Sequence, residues 1–227
     1  MTTERPHPAP PPPQTAYPPA PWRLTGRMYG TALRLPADAL PRELRPPAPV
    51  GRDGTRLLVA AWVSYDTSSV GPYREFMVCS VARLRPPVRG TVLKIWVDSR
   101  ISQAGGRALW SIPKELADFT FAAGSTVEAS ASGDDGRLIA RYTFVPARRI
   151  GLPAPLPLHV LQPTDRGGLR RSLFLLAGRP GTGSATLTVP EDSPVAFLRQ
   201  ARPVCHISLT RMRALVGLRS RLLDAGR

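Results

Sequence analysis

The sequence predicts an α+β domain that is mostly β, an antiparallel closed or cone-like barrel with a few short helices. Three observations lead there. Apolar, partly β-branched runs of single-strand length recur along the chain. Two glycine-rich turns, at 133–136 and 178–183, stand between such runs as hairpin signals. Helical patterning is confined to brief stretches.

Residues 6–21 hold nine prolines in sixteen positions, a composition that favours extended polyproline II and buries no core. We therefore expect a flexible tail over 1–21 and one domain over 22–227. The run 22–35 (WRLTGRMYGTALRL) alternates like a strand, and 36–44 reads as a short helix. Strands follow at 56–66 and 75–84, joined through Gly71-Pro72, and at 91–98. The segment 99–110 (SRISQAGGRALW) is helical despite two glycines. Runs 119–132 and 137–146 flank Gly133-Asp134-Asp135-Gly136 as one hairpin. Runs 171–178 and 183–189 form a second hairpin around the Gly178–Gly183 loop. A short helix over 192–201, capped by Asp192 or Ser193, precedes a last strand over 203–217.

Composition narrows the function. With 42% hydrophobic residues and no apolar run of about 18, the chain reads as a soluble cytoplasmic protein. Its N-terminus lacks the apolar stretch of a secretory signal. Two cysteines, Cys79 and Cys205, make no disulfide framework. The net charge of +15 comes from scattered arginines without a basic stripe or zinc-finger pattern, which argues against nucleic acid. That charge still suits an anionic metabolite, or an acidic carrier protein presenting one. GRPGTGSAT at 178–186 lacks the lysine of a phosphate-binding loop, having Ser184 instead. Three histidines assemble neither a metal set nor a triad, so no metal or cofactor is expected.

Amine chemistry is the remaining signal. Lys94 and Lys114 are the only lysines beside 29 arginines. Arginine replaces lysine in most cationic roles, but guanidinium never becomes a neutral nucleophile. Lys94 shares a strand face with Trp96 and Asp98 and reads as a face residue. Lys114 has Trp110, Ile112 and Pro113 as neighbours, an apolar setting that disfavours an ammonium. Were Ser111 to cap a short helix, its positive end would act in the same direction.

Three ordered segments carry a resemblance: TGRMY at 25–29, YDTSSVGPYRE at 65–75 and GRALWSIPKEL at 106–116. Together they resemble the acetoacetate decarboxylase family. The resemblance implies Lys114 as the Schiff-base nucleophile, Glu75 as an acid/base group and Arg27 as a carboxylate-binding or orienting group. The residue types suit that chemistry. A neutral amine condenses with a ketone to an iminium, which withdraws electrons from adjacent carbons. A carboxyl group moves the protons, and arginine grips a substrate carboxylate. Acetoacetate decarboxylase itself is a known instance of an activated lysine. At the ordinary pKa only roughly one lysine in 2,500 is neutral at pH 7.

Two positions depart from the family pattern: Glu115 replaces a usual second lysine, and Ala60 stands where a pocket glutamate is expected. Both resemble divergent branches that perform aldolase, dehydratase or tailoring reactions in secondary metabolism. The implied function is a Schiff-base decarboxylase or lyase acting on a β-keto acid or a related, polyketide-like keto intermediate, without cofactor. A homo-oligomer is implied too. The alternatives are a cyclase or isomerase using the same pocket non-covalently, and a metabolite-binding protein.

Overall fold

The chain is described by a computed structural model over residues 15–46, 50–151 and 155–223. Its order is β1 (Trp22–Pro36), β2 (Thr55–Ser68), β3 (Tyr73–Arg83), β4 (Val88–Val97), α1 (Arg100–Trp110) and β5 (Lys114–Leu116). There follow β6 (Asp118–Ala123), β7 (Val127–Ser132), β8 (Leu138–Arg149), β9 (Leu156–Pro163), β10 (Leu169–Thr188) and β11 (Arg202–Leu223). Seven strands close a barrel in the order β11-β1-β2-β3-β4-β9-β10, and β10 pairs back onto β11. The barrel is antiparallel except at the β4–β9 seam. Closure leaves these strands no free edge over their paired lengths.

The second half of β10 leaves the barrel and pairs with β8, extending the sheet through β7 to β6. That extension covers the outer face of β1–β4. Between the two layers lies an aromatic core in which Trp62 stacks on Phe76 at 4.4 Å and on Tyr142 at 6.2 Å. A second apolar cluster, containing Trp22, Trp110 and Ile112, occupies the barrel interior beside α1. Period-two alternation sends Leu58, Ala60 and Trp62 of β2 to the first core, while Val59, Ala61 and Val63 line the interior.

The barrel and the first hairpin match the sequence reading, and four local expectations do not. The second hairpin is one continuous strand, β10. Its glycines allow close strand approach: a Cβ at Gly178 would lie 2.8 Å from Leu209 Cγ, and one at Gly181 would lie 2.8 Å from Ser208 Oγ. Segment 36–44 yields only a 3₁₀ turn at Arg42–Leu44, preceded by Pro41, which has no N–H to give a helix. Segment 192–201 is likewise 3₁₀, over Ala196–Gln200, with the Ser193 hydroxyl accepting from the Val195 N–H. The run 119–132 divides into β6 and β7. Strand β9 gave no clear sequence signal. Of the proline-rich segment, residues 1–14 lie outside the described residues. Pro18 accepts a hydrogen bond from the Trp22 indole at 2.9 Å.

Candidate active site

The geometry of Lys114 begins with the end of α1. Ser99 caps the helix by accepting from the Ser102 N–H. The helix stops at Trp110, where Ser111 adopts a left-handed φ of 56° and returns its N–H to the Arg107 carbonyl. Ser111 therefore caps the C-terminus of α1 and starts no helix, which corrects the sequence expectation. The chain doubles back and pairs as β5 beside β4, with Lys114 opposite Ile95. The Arg107 guanidinium donates to the Lys114 carbonyl at 2.6 Å and fixes this return.

The Lys114 side chain then runs beneath α1 toward the helix start. Gly106 makes room for it, since a Cβ there would come 2.7 Å from Lys114 Cδ. Nζ reaches Ser102 Oγ at 2.9 Å, in the first turn of α1. The positive helix end foreseen for Lys114 is thus present, but it belongs to the preceding helix.

Glu75, from β3, meets the same nitrogen: Nζ donates to Glu75 Oε2 at 2.9 Å. Both side chains are about 95% buried. Tyr65 O–H donates to the other carboxylate oxygen at 3.4 Å, and the Tyr73 ring centroid lies 5.3 Å from Nζ. Tyr65 and Tyr73 face one another across β2 and β3, with rings 4.5 Å apart. Burial pushes the Tyr73 phenol up to about 12, and burial together with the Glu75 charge lifts Tyr65 well above its ordinary value. Both phenols remain protonated donors near neutral pH.

Electrostatics at Lys114 differ from the sequence expectation. Burial disfavours the ammonium, but the adjacent Glu75 carboxylate and Tyr73 outweigh it, so the amine sits above its ordinary value. The resting state is a buried ion pair.

The pair sits in the wall of a cavity of about 330 Å³ inside the barrel. The other walls are mostly aliphatic, aromatic and sulfur-bearing side chains of β1–β4, β9–β11 and the end of α1, with Ser80, Thr91 and His159 as polar members. Of the three residues singled out from the sequence, the fold brings Lys114 and Glu75 together, but Arg27 does not join them. It is partly exposed, pairs with Asp66 at 3.2 Å, and is not a lining residue. Alternation along β1 places Trp22, Leu24 and Met28 on the cavity side and Arg27 on the opposite face, while the extra residue at this point belongs to β11, where Arg211 has a φ of 49°. Glu115 turns outward to Lys94 at 3.6 Å, clear of the amine. Ala60 belongs to the opposite core, and its neighbours Val59 and Ala61 face the cavity.

Sequence reasoning missed Tyr65, Tyr73 and Ser102. Tyr73 was within reach, because it precedes Glu75 by two on one strand and so shares its face. Nothing local in the sequence marks Ser102. Among the described residues no cluster of His, Cys, Asp or Glu is suited to a metal ion, and both cysteines are free. No described helix is long and apolar enough to cross a membrane.

The model of the acetoacetate decarboxylase family matches residues 4–165. The chain belongs to that family. Its structure is similar to acetoacetate decarboxylase from Legionella pneumophila, with a TM-score of 0.74 at 19% identity over 96% of this chain and 92% of that one. It is also similar to the enduracididine biosynthesis enzyme MppR complexed with pyruvate, with a TM-score of 0.68 at 19% identity over 91% of each chain. An acetoacetate decarboxylase-like enzyme from Sphingomonas wittichii gives 0.64 at 14% identity, over 90% and 93%. These likenesses establish a shared fold. No curated protein sequence matches the chain significantly.

Proposed function

We propose that the protein is a Schiff-base-forming carbon–carbon lyase acting on a keto substrate. The observation that carries this reading is a buried lysine whose Nζ lies 2.9 Å from a buried carboxylate in the wall of an apolar cavity. Family membership and a keto ligand in MppR, an enzyme of the same fold, support it.

Glu75 first takes a proton from Nζ. Removing water around a buried ion pair disfavours both charges, so a substrate filling the cavity promotes this transfer. The Nζ lone pair adds to the carbonyl carbon, and Glu75 returns its proton to the developing oxyanion. Proton transfer through Glu75 then expels the carbinolamine oxygen as water and leaves an iminium. A bond one carbon away breaks with its electron pair moving toward nitrogen. The departing fragment is carbon dioxide if that carbon bears a carboxylate, or an aldehyde in a retro-aldol step. In the retro-aldol step Glu75 takes the proton of the substrate hydroxyl. The resulting enamine takes a proton on carbon, from Glu75 in that case or from water after decarboxylation, and water hydrolyses the iminium to free Lys114. The phenols of Tyr65 and Tyr73 and the hydroxyl of Ser102 supply hydrogen bonds near the pair that outlast the charge transfer.

Borohydride trapping with a panel of ketones, followed by peptide mass analysis, tests the reading. The expected outcome is a ketone-dependent mass increase on the Lys114 peptide, absent from Lys114→Arg. Unchanged turnover in Lys114→Arg would overturn it. The raised pKa of Lys114 favours one second reading, in which the ammonium polarises a carbonyl non-covalently and Glu75 abstracts a proton, as in an isomerase or cyclase. That protein would keep much of its activity with arginine at 114 and would form no adduct.

A further inference from the structure

We propose that the substrate is an elongated, apolar carbonyl compound whose hydrocarbon body lies along the barrel and whose carbonyl alone reaches Lys114. A small keto acid such as acetoacetate or pyruvate is then a poor ligand. The inference rests on the covalent reading of Lys114 and adds the substrate class to it.

Charge is the first argument. Among the described residues the cavity lining has Glu75 and Lys114 as its ionised groups, and these neutralise one another. None of the described arginines lines it, although a residue so abundant would meet a random patch of this size several times. Arg27, the guanidinium the family resemblance offered, is bound to Asp66 elsewhere. His159 also lines the cavity, and burial with the charges of Arg171 and Arg89 holds its imidazole below the ordinary value, in the neutral form. A carboxylate entering this space loses its water, and the one ammonium or guanidinium among the described lining residues, Lys114, is already paired with Glu75.

Shape is the second. The lining of β3 runs from Tyr73 past Glu75 to Val81, and at about 3.3 Å per residue the stretch from Glu75 to Val81 extends roughly 20 Å. A volume of about 330 Å³ drawn out over that length is a narrow channel. It reaches the surface at Leu84 and Leu156, which are lining residues that stay exposed, so its mouth is apolar as well. Lys114 and Glu75 are buried away from that mouth. A ligand therefore passes its leading end through an apolar channel before meeting the amine.

The sulfur content is the third. Met28, Met77 and Met212, three of the chain's four methionines, line the channel, as does Cys79. Flexible, polarisable thioethers fit irregular apolar bodies without a fixed mould. The opposite core, in contrast, is filled by stacked aromatic rings.

The test uses the full chain and borohydride trapping with acetone, 2-heptanone, 2-undecanone, acetoacetate and pyruvate. We expect the half-saturating ketone concentration to fall roughly fourfold for each added methylene until the channel is full. The two keto acids should trap no better than acetone. A half-saturating concentration independent of chain length, or efficient trapping of acetoacetate or pyruvate, overturns the inference while leaving the covalent reading intact. In parallel, displacement of the neutral dye N-phenyl-1-naphthylamine is measured with Lys114→Ala. Chain-length-dependent displacement there, with no adduct in the native protein, supports the apolar channel and sinks the covalent reading instead. In Val160→Phe, which narrows the channel lining, the preference for 2-undecanone over acetone should collapse.

Discussion

The two faces of β2 and β3 are built on the same backbone and do opposite things. One face carries Trp62, Phe76 and Val78 and is packed solid against the β6–β8 layer. The other carries Ala61, Val63, Glu75, Met77 and Cys79 and encloses a cavity holding an ion pair. Alternation decides which residues face which way, and side-chain size decides whether the space is filled. The packed face takes the burden of stability, so the hollow face is free to hold two charged groups whose burial opposes folding.

Glu75→Gln breaks the hollow face most. With the carboxylate gone, burial is opposed only by Tyr73, and the pKa of Lys114 falls. The pH midpoint for acylation of Lys114 by an amine-selective reagent should move down, while ketone turnover drops by about 10²–10⁴ for want of a proton carrier. An unmoved midpoint would show that Glu75 does not set the charge of the amine.

Trp62→Ala breaks the packed face. Loss of a fully buried ring stacked between Phe76 and Tyr142 should cost about 3–5 kcal/mol of stability, measured by denaturant unfolding. Ketone trapping at Lys114 should survive wherever the variant remains folded. Loss of trapping in folded protein would mean the two faces are coupled rather than divided in labour.

Gly106→Ala sharpens the contrast within α1. The added methyl would meet the Lys114 stem and displace Nζ from Glu75, so trapping should slow by on the order of 10²-fold. Thermal stability should change little, since alanine favours a helix and the lysine stem is flexible. A large drop in melting temperature with normal trapping would show that the glycine serves packing instead.

The smallest effect concerns the thiols. Burial pushes Cys79 up to about 12, while Cys205 is exposed. At pH 8 iodoacetamide should modify Cys205 and spare Cys79, as read by peptide mass. Occupancy of the channel by a long ketone should leave Cys205 labelling unchanged. Equal labelling of both thiols in the folded protein would contradict the closed, apolar lining around Cys79.

Much of this was legible in one dimension. Alternation marked β1, apolar and partly β-branched runs marked β2 to β4, and the Gly133–Gly136 turn marked the β7–β8 hairpin. Lysine scarcity and an apolar setting singled out Lys114, and the resemblance of three ordered segments to a known family added Glu75. The strand and turn signals are local, carried by spacing and residue chemistry. The Gly178–Gly183 stretch misled because glycine serves turns and close strand approach alike, and only the neighbouring strands distinguish the two.

What the tertiary structure decided was the company each residue keeps. Arg27 lies on the strand face away from the cavity, with the parity of Tyr29, and which of the two faces of β1 turns inward was decided only by closure of the barrel against strands far away in the chain. Lys114 carries a raised pKa because a carboxylate 39 residues earlier is folded to within 2.9 Å of it. Residue type and spacing determined which groups were available for chemistry; barrel closure determined their distances, their solvent and therefore their charge.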